Sequence, residues 1–276
     1  MNMRERASGR RHAETKLDDT FWADFPTARQ AIEDLPGRGT AIIFRDIGQD
    51  QQVIQALREV REFLNRNSDQ DTLNARKVSL AGYLFEEYAF HLVIEKMGMI
   101  GINGVVLSPT QTFEIYKIAH PDHKIVRSHS NLRSTLQGDM SDDIRIPDGI
   151  VVERNQERSE IKALCEYSLG KSGSRKKHQA RRFRSRQAVD DVLAEGFLRE
   201  QIGEYLAKLD PRLSKNLAPS SEFLFILIRP EKESAEGFRV SDGVCRVFVP
   251  FTREEFKDVI DTLIQDIRTS SSQQTK

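Results

Sequence analysis

Apolar residues recur at helical spacing along several stretches of the chain. Val53, Ile54, Leu57, Val60 and Leu64 mark a helix within residues 50–64. From Ser79 to Met97, Leu80, Leu84, Tyr88 and Leu92 line one side, with Phe85, Ala89 and Val93 beside them. Gly98 then supplies a C-terminal stop. Phe256, Val259, Ile260, Leu263 and Ile267 predict a closing helix over 252–267. A longer helical segment covers 175–209, after the break at Ser172-Gly173, and Pro211 ends it.

Other runs have the shape of strands. These are Thr40–Phe44, Val105–Leu107, Phe113–Ile118, Ile125–Val126, Asp148–Val152, Glu160–Cys165 and Val244–Val249. Phe223–Ile228 is almost continuously apolar, as a strand buried on both faces would be. Pro36-Gly37 and Gly39 punctuate the N-terminal part, 128–143 reads as a polar loop, and the polar residues 153–158 read as a turn. From Ser79 onward the order is helix, strands, helix, strand, strand, helix. That predicts an α/β fold, a mixed β-sheet flanked by helices. Residues 1–76 form an N-terminal accessory layer, with the first sixteen mobile and Phe21 and Trp22 anchoring the rest. Residues 77–268 form the main domain, and the Ser/Gln tail 269–276 is disordered. No internal repeat is evident.

Composition changes this picture little. A chain of 276 residues suffices for one large domain, and 38 % apolar residues suffice for its core. Lys plus Arg and Asp plus Glu number 42 each, so any affinity for a polyanion must come from local charge segregation. Cys165 and Cys245 sit in apolar strand-like runs without a CxxC pair, which fits small core thiols in a reducing, cytoplasmic setting. The basic, polar N-terminus has no apolar run behind it and does not read as a secretory signal. No stretch approaches a membrane span.

The candidate chemistry lies in Ile146-Pro147-Asp148-Gly149 and Ser159-Glu160-Ile161-Lys162. Phosphodiester hydrolysis needs a hard cation that offsets phosphate charge and acidifies a water. Two carboxylates on neighbouring strands can hold such an ion, and a lysine can stabilise developing charge. Glu160 and Lys162 are two apart, so on a strand they share a face. A turn centred on Gln156 would set Asp148 opposite Leu164 and Ile150 opposite Lys162, joining all three on one face. An even-length turn would break this unless a bulge restored it. The alternative is an ion pair of little consequence on an exposed strand.

Pro147-Asp148, eleven residues, then Glu160-Ile161-Lys162 resembles the signature of the PD-(D/E)XK, or restriction-endonuclease-like, nucleases. The resemblance covers residues 79–250 and includes the order of elements. It implies a restriction-endonuclease-like core, with Asp148 and Glu160 as ligands of Mg²⁺ (Mn²⁺ as a substitute). The Ile161 carbonyl would complete the shell and Lys162 would activate water. Gly82-Tyr83-Leu84-Phe85-Glu86 fits the family's helix glutamate, so Glu86 would hold a second ion or a water. Gln179 would orient the catalytic groups. Glu87 competes with Glu86; both lie off the apolar stripe, where the plain alternative is two solvated charges.

Lys171, Arg175, Lys176, Lys177, Arg181, Arg182, Arg184 and Arg186 crowd one segment with no acid among them. A phosphate backbone is the natural counter-charge. A solvated helix face is the alternative. The loop setting of His120, His123 and His129 favours an ordinary turn over zinc. No Gly-x-x-x-x-Gly-Lys loop indicates direct use of an NTP. The leading expectation is a Mg²⁺-dependent DNA endonuclease acting on duplex, as a homodimer where both strands are cut. An RNA or branched-DNA nuclease, or a non-catalytic nucleic-acid-binding subunit of a larger assembly, are the alternatives.

Overall fold

A computed structural model of the protein describes residues 21–37, 39–47, 51–65, 70–99, 103–119, 147–154, 159–169, 203–204, 206–208, 211, 218–230, 237–241 and 244–273. Several sequence expectations fall outside these residues. They are the arm 1–16, the strand Ile125–Val126, the loop 128–143 with the histidines, most of the helix 175–209, Gln179 and the whole basic segment.

The strands are β1 (Gly104–Leu107), β2 (Gly149–Arg154), β3 (Ser159–Tyr167), β4 (Ala218–Arg229), β5 (Gly237–Ser241) and β6 (Val244–Phe248). They form one six-stranded mixed sheet in the order β1-β2-β3-β4-β6-β5. β2 runs antiparallel to both β1 and β3, β4 joins β3 in parallel, β6 joins β4 in parallel, and β5 closes the edge antiparallel to β6. The helices are α1 (Pro26–Glu33), α2 (Thr40–Ile47), α3 (Gln51–Asn65), α4 (Gln70–Met99), α5 (Pro109–Ala119) and α6 (Arg253–Gln273).

Alternation along the strands divides the sheet into two faces. Val106, Val151, Ala163, Cys165 and Tyr167 join one apolar cluster with α4 and α6. Leu107, Ile150, Val152, Ile161 and Leu164, also buried, alternate with them and belong to the opposite face. The central helix α4 touches α2, α3, α6, β1 and β3. It is buried almost all round from Leu80 to Val93, as a helix wedged between a sheet and other helices must be.

The N-terminal helices are part of this core rather than a layer beside it. Trp22, Phe25, Ile32, Phe44 and Val60 belong to the same cluster as Leu84, Phe256 and Leu263. The Phe44 and Tyr88 rings stack 5.1 Å apart. The Trp22 indole donates to the Phe44 carbonyl at 3.0 Å, and the Ala28 amide in the first turn of α1 donates to Asp266 of α6 at 2.9 Å. α4 itself begins at Gln70 and passes through Gly98, so no boundary falls at residue 76.

Two expected strands are helices. Thr40–Phe44 opens α2, where Gly39 adopts φ +91° just ahead of it and packing on α4 overrides the β-branched composition. Phe113–Ile118 lies in α5. There Ser108 and Gln111 form a reciprocal cap: Gln111 N–H donates to Ser108 Oγ at 3.2 Å, and Ser108 N–H to Gln111 Oε1 at 2.8 Å. Pro109 at the first helical position completes the start signal. β5 had no counterpart in the sequence reading, and α6 continues past residue 269 to Gln273.

Candidate active site

The β2–β3 hairpin carries the proposed chemistry, and its register decides which side chains meet. Gly149 pairs with Cys165, Ile150 with Leu164 and Val151 with Ala163. Relative to the expected pairing, the turn centre moves from Gln156 to Glu157. A one-residue move of the centre shifts every partner by two. Beyond Val151 the register slips, so that Val152 pairs with Ile161 and Glu153 with Glu160. The β3–β4 pairing slips between Ile161 and Ala163 as well, so Lys162 sits at a bulge on both sides of β3.

At the tip of the hairpin, nearest the connection 155–158, Lys162 lies between two carboxylates. Its Nζ is 2.8 Å from Glu153 and 3.1 Å from Glu160. The Glu153 hydrogen bond is the main cause that raises the Lys162 pKa, with Glu160 adding to it against the opposing cost of desolvation. Glu160 is 5 % exposed, and a carboxylate so buried is costly without such a partner.

Asp148 lies at the other, open end. Its N–H donates to the Cys165 carbonyl at 2.8 Å, and its carboxylate accepts the Tyr167 N–H at 2.7 Å. The strand pairing ends at Gly149–Cys165, and Glu166, one residue beyond Cys165, alternates away from the face that carries Tyr167. Glu166 is 8 % exposed. Glu160 is roughly 20 Å away along β3, at ordinary strand rise.

α4 brings its glutamates to the open end too. The helix runs on to Met99, and β1 then begins at Gly104 opposite Glu153, near the tip. Glu86 and Glu87 therefore lie back from the tip, roughly 18 Å before the helix end. Both are buried, not solvated as their position off the apolar stripe had suggested. Tyr167 ties the group together. Burial first, then the charges of its neighbours, among them Asp148 and Glu87, raise its hydroxyl well above the usual pKa. A Cβ on Gly149 would lie 2.7 Å from that hydroxyl, so glycine at this position is what lets the ring end pass beneath β2. The Cys165 thiol nearby is pushed up to about 12 by burial.

The structure thus joins Glu160 with Lys162 and Glu153, and sets Asp148 and Glu87 near Tyr167. It does not join Asp148 to Glu160 or Lys162. Ile161, whose carbonyl was a candidate ligand, lies on the tip side of the bulge. Glu153, Glu166 and Tyr167 were absent from the sequence reading; Glu166 would have emerged from a turn centre one residue later.

Among the described residues, no three His, Cys, Asp or Glu side chains are gathered tightly enough to hold a metal ion between them. No helix of those residues is long and apolar enough to cross a membrane. No family model, no curated protein and no solved structure matches the chain.

Proposed function

We propose that the protein is a Mg²⁺-dependent nuclease of the PD-(D/E)XK kind that hydrolyses phosphodiester bonds in DNA, in a reducing, cytoplasmic setting. The observation that carries this reading is the placing of Pro147-Asp148 and Glu160-Ile161-Lys162 on one antiparallel hairpin, beside an α4 whose Glu86 and Glu87 are nearly out of solvent. Burying carboxylates is expensive, and a site that needs them is the usual reason to do so.

The donors are all oxygen, which suits a hard cation such as Mg²⁺ or Mn²⁺. Mg²⁺ keeps several waters and is commonly held by one or two carboxylates together with substrate phosphate, so a third tightly placed ligand is not required. Such a cation supplies a water of lowered pKa and a counter-charge for the phosphate. Asp148 is held in place by the Tyr167 amide, which donates to its carboxylate. The order α4, three antiparallel strands, then β4 in parallel agrees with the restriction-endonuclease-like core. The run of basic residues from Lys171 to Arg186 supports a phosphate backbone as partner.

The test is to incubate the protein with plasmid, linear duplex, single-stranded DNA and RNA, in Mg²⁺, Mn²⁺ or EDTA. Cleavage of DNA is expected with either metal. Asp148→Ala should lower it at least about a hundredfold, the scale of one lost transition-state contact. Cleavage that survives EDTA or is indifferent to Asp148→Ala would sink the proposal. Cleavage of RNA alone would redirect it. Tight binding without cleavage of any substrate would favour a non-catalytic subunit.

A further inference from the structure

We infer that Arg229, Arg239 and Arg246, on the sheet face turned away from α4 and α6, form a contact surface for the phosphate backbone of DNA, with Ser168 at its inner end. This rests on the nuclease reading above and names where the substrate strand is held.

Register places these residues together. Ile228 pairs with Tyr167 on β3 and with Val247 on β6, and Val247 pairs with Phe238 on β5. Tyr167, Ile228 and Val247 pack on the core with α4 and α6. Alternation therefore assigns the rows on either side to the opposite face. One row runs Ser168, Arg229, Phe248, Gly237, with the Ser168 N–H donating to the Ile228 carbonyl at 2.9 Å. The other runs Glu166, Leu227, Arg246, Arg239. Arginines thus stand at neighbouring positions on β4, β6 and β5. They outnumber Glu166, the one carboxylate of the two rows, three to one.

Charge is the second argument. Arg246 and Arg239 are direct partners across two antiparallel strands. Opposed residues have Cβ atoms about 5 Å apart, and like charges so placed destabilise the pair. An anion shared by both turns that repulsion into attraction. Arginine suits phosphate, because its planar fork of donors matches the oxygens. Arg229 and Arg246 are partly exposed, so a ligand can reach them. A Cβ built on Gly237 meets nothing within 4 Å, so this face is open beside Phe248 at the sheet edge.

The third argument is independent of the arginines. Ser168 Oγ, next to Arg229 in its row, is buried and has no hydrogen-bond partner among the described residues. Burying a hydroxyl so is costly, and a phosphate oxygen is the acceptor it lacks. The rows also start beside the proposed chemistry, since the Asp148 carboxylate accepts the N–H of Tyr167, one residue before Ser168. Two strand spacings, roughly 10 Å, separate β2 from β4, and two more reach β5. A backbone gripped by the arginines therefore leads from the sheet edge toward the end of the hairpin that carries Asp148.

Arginine labelling of the wild-type chain with phenylglyoxal, mapped by mass spectrometry, tests this without a variant. Duplex DNA in EDTA should protect Arg229, Arg239 and Arg246, and should leave Arg76, which pairs with Glu59, as reactive as before. Fluorescence anisotropy of a labelled duplex over a series of salt concentrations gives the second readout. Arg229→Gln, Arg239→Gln and Arg246→Gln should each weaken binding about fivefold and lower the slope of log K against log salt by about one. Arg246→Lys should keep the slope, because the charge remains, which separates a lost contact from a lost fold. Ser168→Ala should weaken binding about twofold with an unchanged urea midpoint, the hydroxyl having no partner to lose. Unprotected arginines with unchanged slopes, or a wild type that binds no duplex, overturn the inference. Mg²⁺-dependent cleavage of DNA by the same protein would then still uphold the nuclease reading. Protected arginines and lowered slopes in a protein that cuts nothing in Mg²⁺ or Mn²⁺ would keep this surface and end that reading.

Discussion

The two ends of the β2–β3 hairpin both bury carboxylates, and they do so by different means. At the tip, a lysine re-aimed by a bulge supplies the counter-charge, so the acids and the base satisfy one another. At the open end, the acids gather around a backbone amide and a buried phenol. The first arrangement is electrostatically closed. The Glu-x-Lys spacing alone does not tell a catalytic pair from a structural one. What distinguishes them is where the partner carboxylate falls in the register.

That contrast can be broken by substitution. The largest effect is expected at Gly149. A methyl there meets Tyr167 Oη at 2.7 Å and the Leu107 carbonyl at 3.2 Å, inside a paired strand that cannot yield easily. Gly149→Ala should cost about 1–3 kcal/mol, the range for overpacking a tight site. Tyr167→Phe in the same chain should recover part of that loss, because it removes the nearest clashing atom. Urea denaturation of the two single variants and the double gives the coupling; strict additivity would show that the hydroxyl is not what confines Gly149.

A smaller loss is expected at the tip. Lys162→Met leaves Glu160 buried beside Glu153 without its cation. Fully buried pairs broken this way lose about 3–5 kcal/mol. Lys162 is 25 % exposed and Glu153 21 %, so about 1–2 kcal/mol is the expected cost. Mn²⁺ affinity should stay unchanged. A variant that keeps its stability and loses metal would invert the comparison.

The mildest effect is on pH dependence. Burial raises the Cys165 pKa from 9.0 to about 12. The unfolded chain therefore releases this proton at lower pH than the folded one, and stability falls as pH rises from the unfolded value toward the folded one. The fall should amount to about 1 kcal/mol between about pH 8 and pH 10. Cys165→Ala should flatten that part of the profile. An unchanged slope would mean that the thiol titrates as it does in water.

Much of the fold was legible because several signals are local. Thr252-x-x-Glu255 announces α6, and the cap is there: the Thr252 N–H donates to Glu255 at 2.6 Å, and the Glu255 N–H to Thr252 Oγ1 at 3.2 Å. Phe113–Ile118 misled because its apolar residues nearly alternate, while the cap that settles the matter sits five residues earlier at Ser108. Thr40–Phe44 misled for another reason, since only contact with α4 favours the helix. The site was less legible than the fold. Asp148, Glu160 and Lys162 stand out as residue types, but their grouping depends on the parity and centre of a turn, which composition does not encode. Burial of Glu86 and Glu87 was hidden for a similar reason. A helix with neighbours on several sides has no solvated face to read from its pattern.

The bond from the Ala28 amide to Asp266 has a bearing on synthesis. It joins positions 238 residues apart, and both helices contribute to the same core. On the ribosome α1 emerges well before α6. Until α6 is released, α1 lacks the carboxylate on its first turn, and the groove left between α1, α3 and α4 stays wet. The hairpin and α4 can assemble without it, but the core cannot seal. Contacts of such long range slow the final step of folding. The nascent core therefore waits for α6, and a chaperone would find it in that interval.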